Sequence, residues 1–367
     1  MKIAQVAPLY ESVPPALYGG TERVVSYLTE ELVRQGHDVT LFASGDSTTT
    51  AQLVAACPRS LRLNEVRDQL LPHLMMIDQV LSRADEFDII HFHIDYLHFP
   101  STRRAHVCNL TTLHGRLDLP QLPELYAQFR DMPVISISGA QREPLPGARW
   151  EATVYHGLPR DLYTYHAKPE RYLAFVGRTS PEKRLDRAIE IARAAGIELR
   201  IAAKVDPSDK EFFDRELAPL IDQPGVTWIG EIDDDKKNEF IGNAMALLFP
   251  IDWPEPFGLI MIESFACGTP VIAWPCGSVP EILDDGKTGF MCTEIGQAVA
   301  AVRRIDEISR EHCRAVFEER YSSQRMARDY VRIYERLVQQ HRGGKGGHGR
   351  DHSRPGQLLH PGDILTS

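Results

Sequence analysis

Long apolar runs are missing from this sequence of 367 residues. None reaches the roughly 18 residues of a membrane-crossing helix, so no segment is expected to span a bilayer. Closely paired cysteines are missing too. The six that occur (Cys57, Cys108, Cys267, Cys276, Cys292 and Cys313) include no C-x-x-C pair. Reduced, mostly buried thiols are the simplest expectation, and the spacing argues against a structural zinc. Positive charge is not in excess either. With 41 Lys and Arg against 51 Asp and Glu, the formal net charge is -10. A general nucleic-acid binder neutralises phosphates with clustered cations, so that class of partner is not expected. No basic amphipathic helix stands out, which leaves peripheral contact with a membrane open but unsupported. The opening segment, MKIAQVAPLYESVPP, carries too short an apolar run for a secretory signal and reads as a buried strand. The cytoplasm is the expected setting.

What is present is an ordinary globular balance, 43% hydrophobic and 25% charged, over a length that suits two domains with separate cores. KIAQVAP, DVTLFAS, FDIIHFH, CNLTTLH and PVISIS read as short apolar strands. Between the first two, TERVVSYLTEELVRQGH sets Val24, Val25, Leu28, Leu32 and Val33 on one helical face, and Gly36 stops the helix. The alternation restarts near residue 171 with the strand RYLAFVG. The next segment, PEKRLDRAIEIARAAG, reads as a helix with Pro181 at its first position and Gly196 past its end. IELRIAA, GVTWIG, AMALLFP and TPVIAW continue the pattern.

Repeated strand–helix–strand units with apolar strands predict parallel sheets covered on both faces. The expected fold is α/β, with two facing doubly wound Rossmann-like domains. Ligands in such sheets meet the carboxyl ends of the strands, so the cleft between the domains is the expected site. The domains are expected at residues 1–165 and 166–321, with a terminal helix over 322–341 that could pack back on the first. The remaining 342–367, rich in Gly, His and Pro, has little to bury and is expected to be disordered.

Three segments point to an anionic ligand. In LYGGTERVV, Gly19 and Gly20 stand between a strand and a helix N-terminus, where backbone N–H groups and the helix dipole suit an anion. The loop is not G-x-G-x-x-G, and a tight turn explains it equally well. In FVGRTSPEKRL, Ser180 suits an N-cap, and the same helix mouth would bring Arg178 and Lys183 to one phosphate. The alternative is a solvated pair of cations. In PIDWPEPFGLIMIESFACGTPVIAW, Pro256 fits the first position of a helix after Glu255, leaving the N–H groups of Phe257, Gly258 and Leu259 open to an anion. Glu263 would lie in the same helix among Ile260, Met261, Ile262, Phe265 and Ala266, where an unpaired carboxylate is costly. Eight residues of helix would part Glu255 from Glu263 by roughly 12 Å. That exceeds the roughly 5–5.5 Å of a nucleophile–acid pair in a glycosidase. An extended ligand with hydroxyls at both ends and phosphates between, such as a sugar joined through a diphosphate to a ribose, fits that separation.

The segment PEPFGLIMIESFACGTPVIAWPCGSVPEILDDGKTGF closely resembles the E-x(7)-E block of family 4 glycosyltransferases, retaining enzymes of the GT-B fold. YGGTERVV, TLHG and FVGRTSPEKR fall in the family's order, and the likeness covers roughly residues 1–340. The resemblance implies that Glu263 binds the ribose hydroxyls of a nucleotide sugar. Arg178 and Lys183 would hold its diphosphate, with backbone N–H groups of Gly20, Gly258 and Leu259. Glu255 would contact the transferred sugar, with Phe257 beside it and His114 near the reacting face. It also implies a front-face reaction in which the leaving phosphate takes the acceptor's proton, with no protein nucleophile and no metal or other cofactor. Two positions depart from the usual pattern. Arg184 follows Lys183 where glycine is common, and His156 stands where asparagine often precedes the glycine of VYHGL.

Other clusters carry less. His91, His93 and His98 crowd one segment, but strand alternation sends the first two to one face without a third for zinc. Asp233, Asp234 and Asp235 read as favourable charges at a helix start and not as a metal site. The expected activity is transfer of a sugar from a nucleoside-diphosphate sugar to an acceptor hydroxyl. Its rivals are a sugar-nucleotide epimerase, a phosphorylase, and a non-catalytic sugar-binding protein. The acceptor, whether sugar, small molecule or lipid-linked, is expected on the first domain, at loops such as LYESVPPALYGG and GRLDLPQLPELY.

Overall fold

The structure, a computed structural model, describes residues 1–346 apart from Leu17, Tyr18, Leu63 and Glu65. Tail residues 347–367 and the side chains of Asp234 and Asp235, both subjects of expectations above, lie outside the described residues. Seven strands form the first sheet: β1 (Lys2–Val6), β2 (Asp38–Ser44), β3 (Gln52–Cys57), β4 (Ile89–Phe92), β5 (Asn109–Thr112), β6 (Pro133–Ser136) and β7 (Arg149–Thr153). Six form the second: β8 (Tyr172–Arg178), β9 (Glu198–Lys204), β10 (Val226–Trp228), β11 (Ala246–Phe249), β12 (Val271–Ala273) and β13 (Gly289–Met291).

Their orders are β3-β2-β1-β4-β5-β6-β7 and β10-β9-β8-β11-β12-β13, with every strand pairing parallel. These are two doubly wound Rossmann-like domains. The chain order reverses at β1 in one and at β8 in the other, which opens a crevice beyond the carboxyl ends of those strands. Apart from exposed Asp38, β2 is buried along its length, and β4 and β11 are buried throughout, as parallel strands covered on both faces must be. The strands that sequence reading missed, β3, β7 and β13, lie at sheet edges. Solvent reaches part of each, so their apolar pattern is diluted.

The helix Ser323–Gly346 leaves the second domain and covers the first. Its buried Met326, Ala327, Tyr330, Ile333, Tyr334, Leu337 and Val338 pack with Ile3, Val24, Leu28 and Leu32. It runs past the expected stop at 341, and Arg342 extends it by pairing with Asp88 at 2.6 Å. Between the two crossings of the chain, Leu158 N donates to Tyr321 O at 2.9 Å and Ser323 N to Leu158 O at 2.8 Å. A Cβ on Gly157 would stand 2.4 Å from Ser322 O, so only glycine admits this approach. Leu158 and Tyr163 already pack in the core of the second domain.

A second tie joins the two domains. Glu281, on a short turn of the second domain, accepts from Gly139 N and Ala140 N of the first at 2.7 Å each, and from Tyr155 OH at 2.9 Å. Its charge thus sits on the N–H groups that open the turn Gly139–Arg142. Charge-assisted bonds of this kind contribute about 1.5–3 kcal/mol each. Glu281→Ala is expected to loosen domain pairing. Small-angle scattering should show a larger radius of gyration, with the far-ultraviolet circular dichroism unchanged.

Candidate active site

The two sheets face each other across a cleft of about 920 Å³. From the first domain it is lined by Gly20 at the start of the helix Gly20–Arg34, by His93 and Asp95 just past β4, and by His114 just past β5. From the second come Arg178 at the end of β8, Lys183, Lys237, Glu255, Phe257, Gly258, Leu259 and Glu263. The residues singled out in the sequence therefore share one cavity. Gly20 and Leu259 face each other across it, since a Cβ on Gly20 would lie 3.7 Å from Leu259 Cδ1.

The local backbone differs from expectation at both second-domain loops. Pro181–Lys183 is a single 3₁₀ turn, and the α-helix is Leu185–Ala195, so Pro181 does not open it. Ser180 does not cap that turn either. Its Oγ donates to Glu182 at 2.7 Å. Arg184 breaks the run at φ 54, a left-handed conformation that glycine adopts freely. Here its guanidinium is held by Asp186 at 2.8 Å and Asp252 at 2.9 Å. Neither aspartate lines the cleft.

The second difference concerns the two glutamates. The helix is Leu259–Ala266, with Gly258 left-handed at φ 81 before it. Glu255 and Pro256 lie in the preceding loop, so one continuous helix does not join the carboxylates. The separation computed from helical rise does not apply. The physical cause is Gly258, whose left-handed φ of 81 turns the chain just before the helix, a conformation that side-chain-bearing residues rarely adopt.

Each glutamate holds a lysine. Lys183 Nζ donates to Glu255 Oε2 at 2.5 Å, and Trp253 Nε1 donates to the same oxygen at 3.1 Å. The ammonium lies 4.8 Å from the centre of the Trp253 ring. Lys237 Nζ donates to both oxygens of Glu263, at 3.2 and 3.3 Å. Glu263 is 4% exposed, so its charge sits almost wholly within protein and needs that cation. Sequence reading missed Lys237. Its signal was present, because an ionised residue in an apolar helix requires a partner, and IDDDKKNEF supplies lysines at the head of another helix. Asp233 caps that helix, accepting from Lys236 N at 2.9 Å.

Arg178 is held more loosely, donating to Glu182 at 3.1 Å with Asp206 at 3.9 Å. The Phe257 ring is buried and packs against the His156 ring at 4.8 Å, so its side chain belongs to the wall between the domains. His156 stacks in turn on His114 at 5.3 Å. Burial drives the His156 imidazole well below its usual range and that of His114 down to about 3, so both are neutral at physiological pH. Asp95, missed in the sequence, stands exposed at the cleft with φ 51. Among the described residues, no group of three or more His, Cys, Asp or Glu side chains is placed to hold a metal ion. None of the described helices is long and apolar enough to cross a membrane.

A buried ion pair that loses one member leaves the other uncompensated, at a cost of roughly 3–5 kcal/mol. Lys237→Met should therefore lower the unfolding free energy by about that amount in urea titration, and adding Glu263→Gln should recover part of the loss.

The family model for Glycosyl transferases group 1 matches residues 164–325, and that for Glycosyltransferase Family 4 matches residues 18–195. An uncharacterized 41.2 kDa protein in the cps region of Klebsiella pneumoniae is 27% identical over 170 residues, 44% of this chain and 46% of that relative. The chain thus spans less than half of that relative in the match. Alpha-maltose-1-phosphate synthase of Mycolicibacterium smegmatis is 23% identical over 331 residues, 78% of this chain and 84% of the relative. Among solved structures, Anabaena Alr3699/HepE in complex with UDP-glucose matches 94% of this chain and all of its own, at 17% identity and a TM-score of 0.68. Taken with the two sheets and their shared cleft, the two family matches make this chain a family 4-like glycosyltransferase of the GT-B fold.

Proposed function

We propose that the chain transfers a sugar from a nucleoside-diphosphate sugar to an acceptor hydroxyl with retention of configuration. The observation that carries this reading is the arrangement of charge in the cleft, two carboxylates each tied to a lysine, with Arg178 beside them. A donor with hydroxyls at both ends and a diphosphate between matches that pattern. Glu263, steadied by Lys237, takes the ribose hydroxyls. Arg178 and Lys183 take the diphosphate, with backbone N–H groups of Gly20, Gly258 and Leu259. Lys183 exchanges Glu255 for phosphate, which frees that carboxylate to accept hydroxyls of the transferred sugar. The UDP-glucose held by HepE supports a donor of this class.

In the reaction, the bond from the anomeric carbon to the phosphate oxygen breaks and positive charge develops on the sugar. The acceptor oxygen bonds to the same face, and its proton passes to the departing phosphate. Glu255 opposes the developing charge, and the cations stabilise the leaving diphosphate in place of a metal. The acceptor approaches from the first domain.

Screening hydrolysis of uridine, guanosine and adenosine diphosphate sugars identifies the donor, and its consumption should rise on addition of an acceptor. Glu263→Gln should weaken binding of the bare nucleoside diphosphate by roughly 10- to 150-fold, the loss of a charged hydrogen bond. Glu255→Gln should leave that affinity nearly intact and lower kcat by about two to three orders of magnitude. Calorimetry beside steady-state kinetics separates the two. The opposite pattern would place the ligand in reverse, and no effect from either would make both carboxylates structural. A separate assay with excess chelator should leave turnover unchanged, whereas loss restored by magnesium or manganese would overturn the metal-free reading.

A further inference from the structure

A buried line of polar groups joins the last helix to the cleft, and the donor chemistry above does not use it. Tyr330 OH and Thr112 Oγ1 are 2.8 Å apart, and Thr112 Oγ1 and His91 Nε2 are 2.8 Å apart. His91 Nδ1 meets Tyr334 OH at 2.7 Å, and Tyr334 OH meets Gln5 Nε2 at 3.1 Å. Gln5 Oε1 meets His93 Nε2 at 2.8 Å, and His93 Nδ1 meets His114 Nε2 at 2.9 Å. Gln5, His91, Thr112, Tyr330 and Tyr334 are at most 1% exposed and His93 is 3% exposed, so water does not compete along the line.

A neutral imidazole donates through one nitrogen and accepts through the other, so every link constrains the next. His114 Nδ1 is buried without a partner. An orphaned buried N–H is rarer and more costly than an unfilled lone pair, so the His114 proton belongs on Nε2. Nε2 then donates to His93 Nδ1, and His93 donates through Nε2 to Gln5 Oε1. The Gln5 amide donates to Tyr334, Tyr334 to His91 Nδ1, His91 Nε2 to Thr112, and Thr112 to Tyr330. All links run in one sense, and a reversal that stops at a hydroxyl leaves a buried O–H without an acceptor.

We propose that Gln5, His93 and Tyr334 are positioning residues that hold His114 as a neutral imidazole with its proton on Nε2. His114 therefore enters the reaction as a fixed, uncharged wall beside the sugar. Burial lowers the imidazoles of His91 and His93 well below their usual range, in keeping with a neutral line. The last helix, distant in sequence, thereby sets the state of a cleft residue. The kinetic part of this proposal rests on the glycosyltransferase reading, while the protonation part stands without it.

The test uses the full chain labelled with ¹⁵N-histidine, in wild type and in Tyr334→Phe, His93→Phe and His93→Asn. Wild-type His114 should show one neutral tautomer, protonated at Nε2, across the neutral pH range. Tyr334→Phe removes one hydroxyl, and His93→Phe removes the acceptor. Each should give mixed tautomers at His114 and lower kcat/KM by about tenfold, the loss of one buried hydrogen bond, with UDP affinity unchanged. His93→Asn, whose carbonyl can replace Nδ1, should restore both. A His114 protonated at Nδ1 or doubly protonated in wild type would overturn the proposal. So would an unchanged tautomer in both Phe variants, or an altered tautomer with an unaltered rate. If no protein, wild type included, turns over a nucleotide sugar, the function reading fails and the spectra still decide the tautomer.

Discussion

The crossing of Gly157 over Ser322 is the contact on which this architecture turns. Backbone meets backbone there at a distance that excludes any side chain. Hydrogen bonds on both sides, Leu158 to Tyr321 and Ser323 to Leu158, lock the outgoing and returning chains together. Three features follow from it. The second domain is held facing the first, the returning helix Ser323–Gly346 is delivered to the first domain's core, and His156 is brought against both His114 and Phe257. Arg325 strengthens the junction by donating to the carbonyls of Tyr155 and His156 at 2.6 and 3.0 Å. Glu281 supplies a second tie from the second domain, a charged cap on the first domain's turn Gly139–Arg142.

Within those bounds the charges are arranged for exchange. A cation and a carboxylate that already meet in a partly desolvated cleft are both oriented, and neither has to be stripped of a full shell of water when a ligand arrives. Lys183 is held by Glu255 and flanked by Trp253, where the diphosphate of the proposed donor would replace the carboxylate as its partner. Lys237 and Glu263 are different in kind. Their side chains are 14% and 6% exposed, so the pair is a fixed part of the floor. Arg184 shows how a departure from the family pattern is absorbed. A left-handed position suited to glycine is filled by arginine, and two aspartates hold its long side chain away from the cleft lining.

Much of the fold was legible because parallel strands buried on both faces must be nearly continuous in apolar residues, and the helices between them must stop at glycine or proline. β1, β2, β4, β8 and β11 satisfy that rule in the sequence itself. The edge strands β3, β7 and β13 do not, because solvent on one side relaxes the demand for apolar residues. The glutamate block was legible for a related reason, since a carboxylate in an apolar run has to be explained by a partner.

By itself, the sequence determined two α/β domains, a cleft between them, and most of the residues that line its charged half, Lys237 and Asp95 excepted. Tertiary structure alone decided that Gly258 ends the loop and starts the helix, that Glu255 pairs with Lys183, and that Glu263 pairs with Lys237. It also decided that His91 and His93, which strand alternation puts on one face, join Tyr334 and His114 in a buried line. The reason is physical. Periodicity reports which face of an element is covered, a local property of 2.0 or 3.6 residues per repeat. Which donor meets which acceptor depends on chain segments hundreds of positions apart, such as Gln5 and Tyr334, whose approach is set by the packing of whole domains.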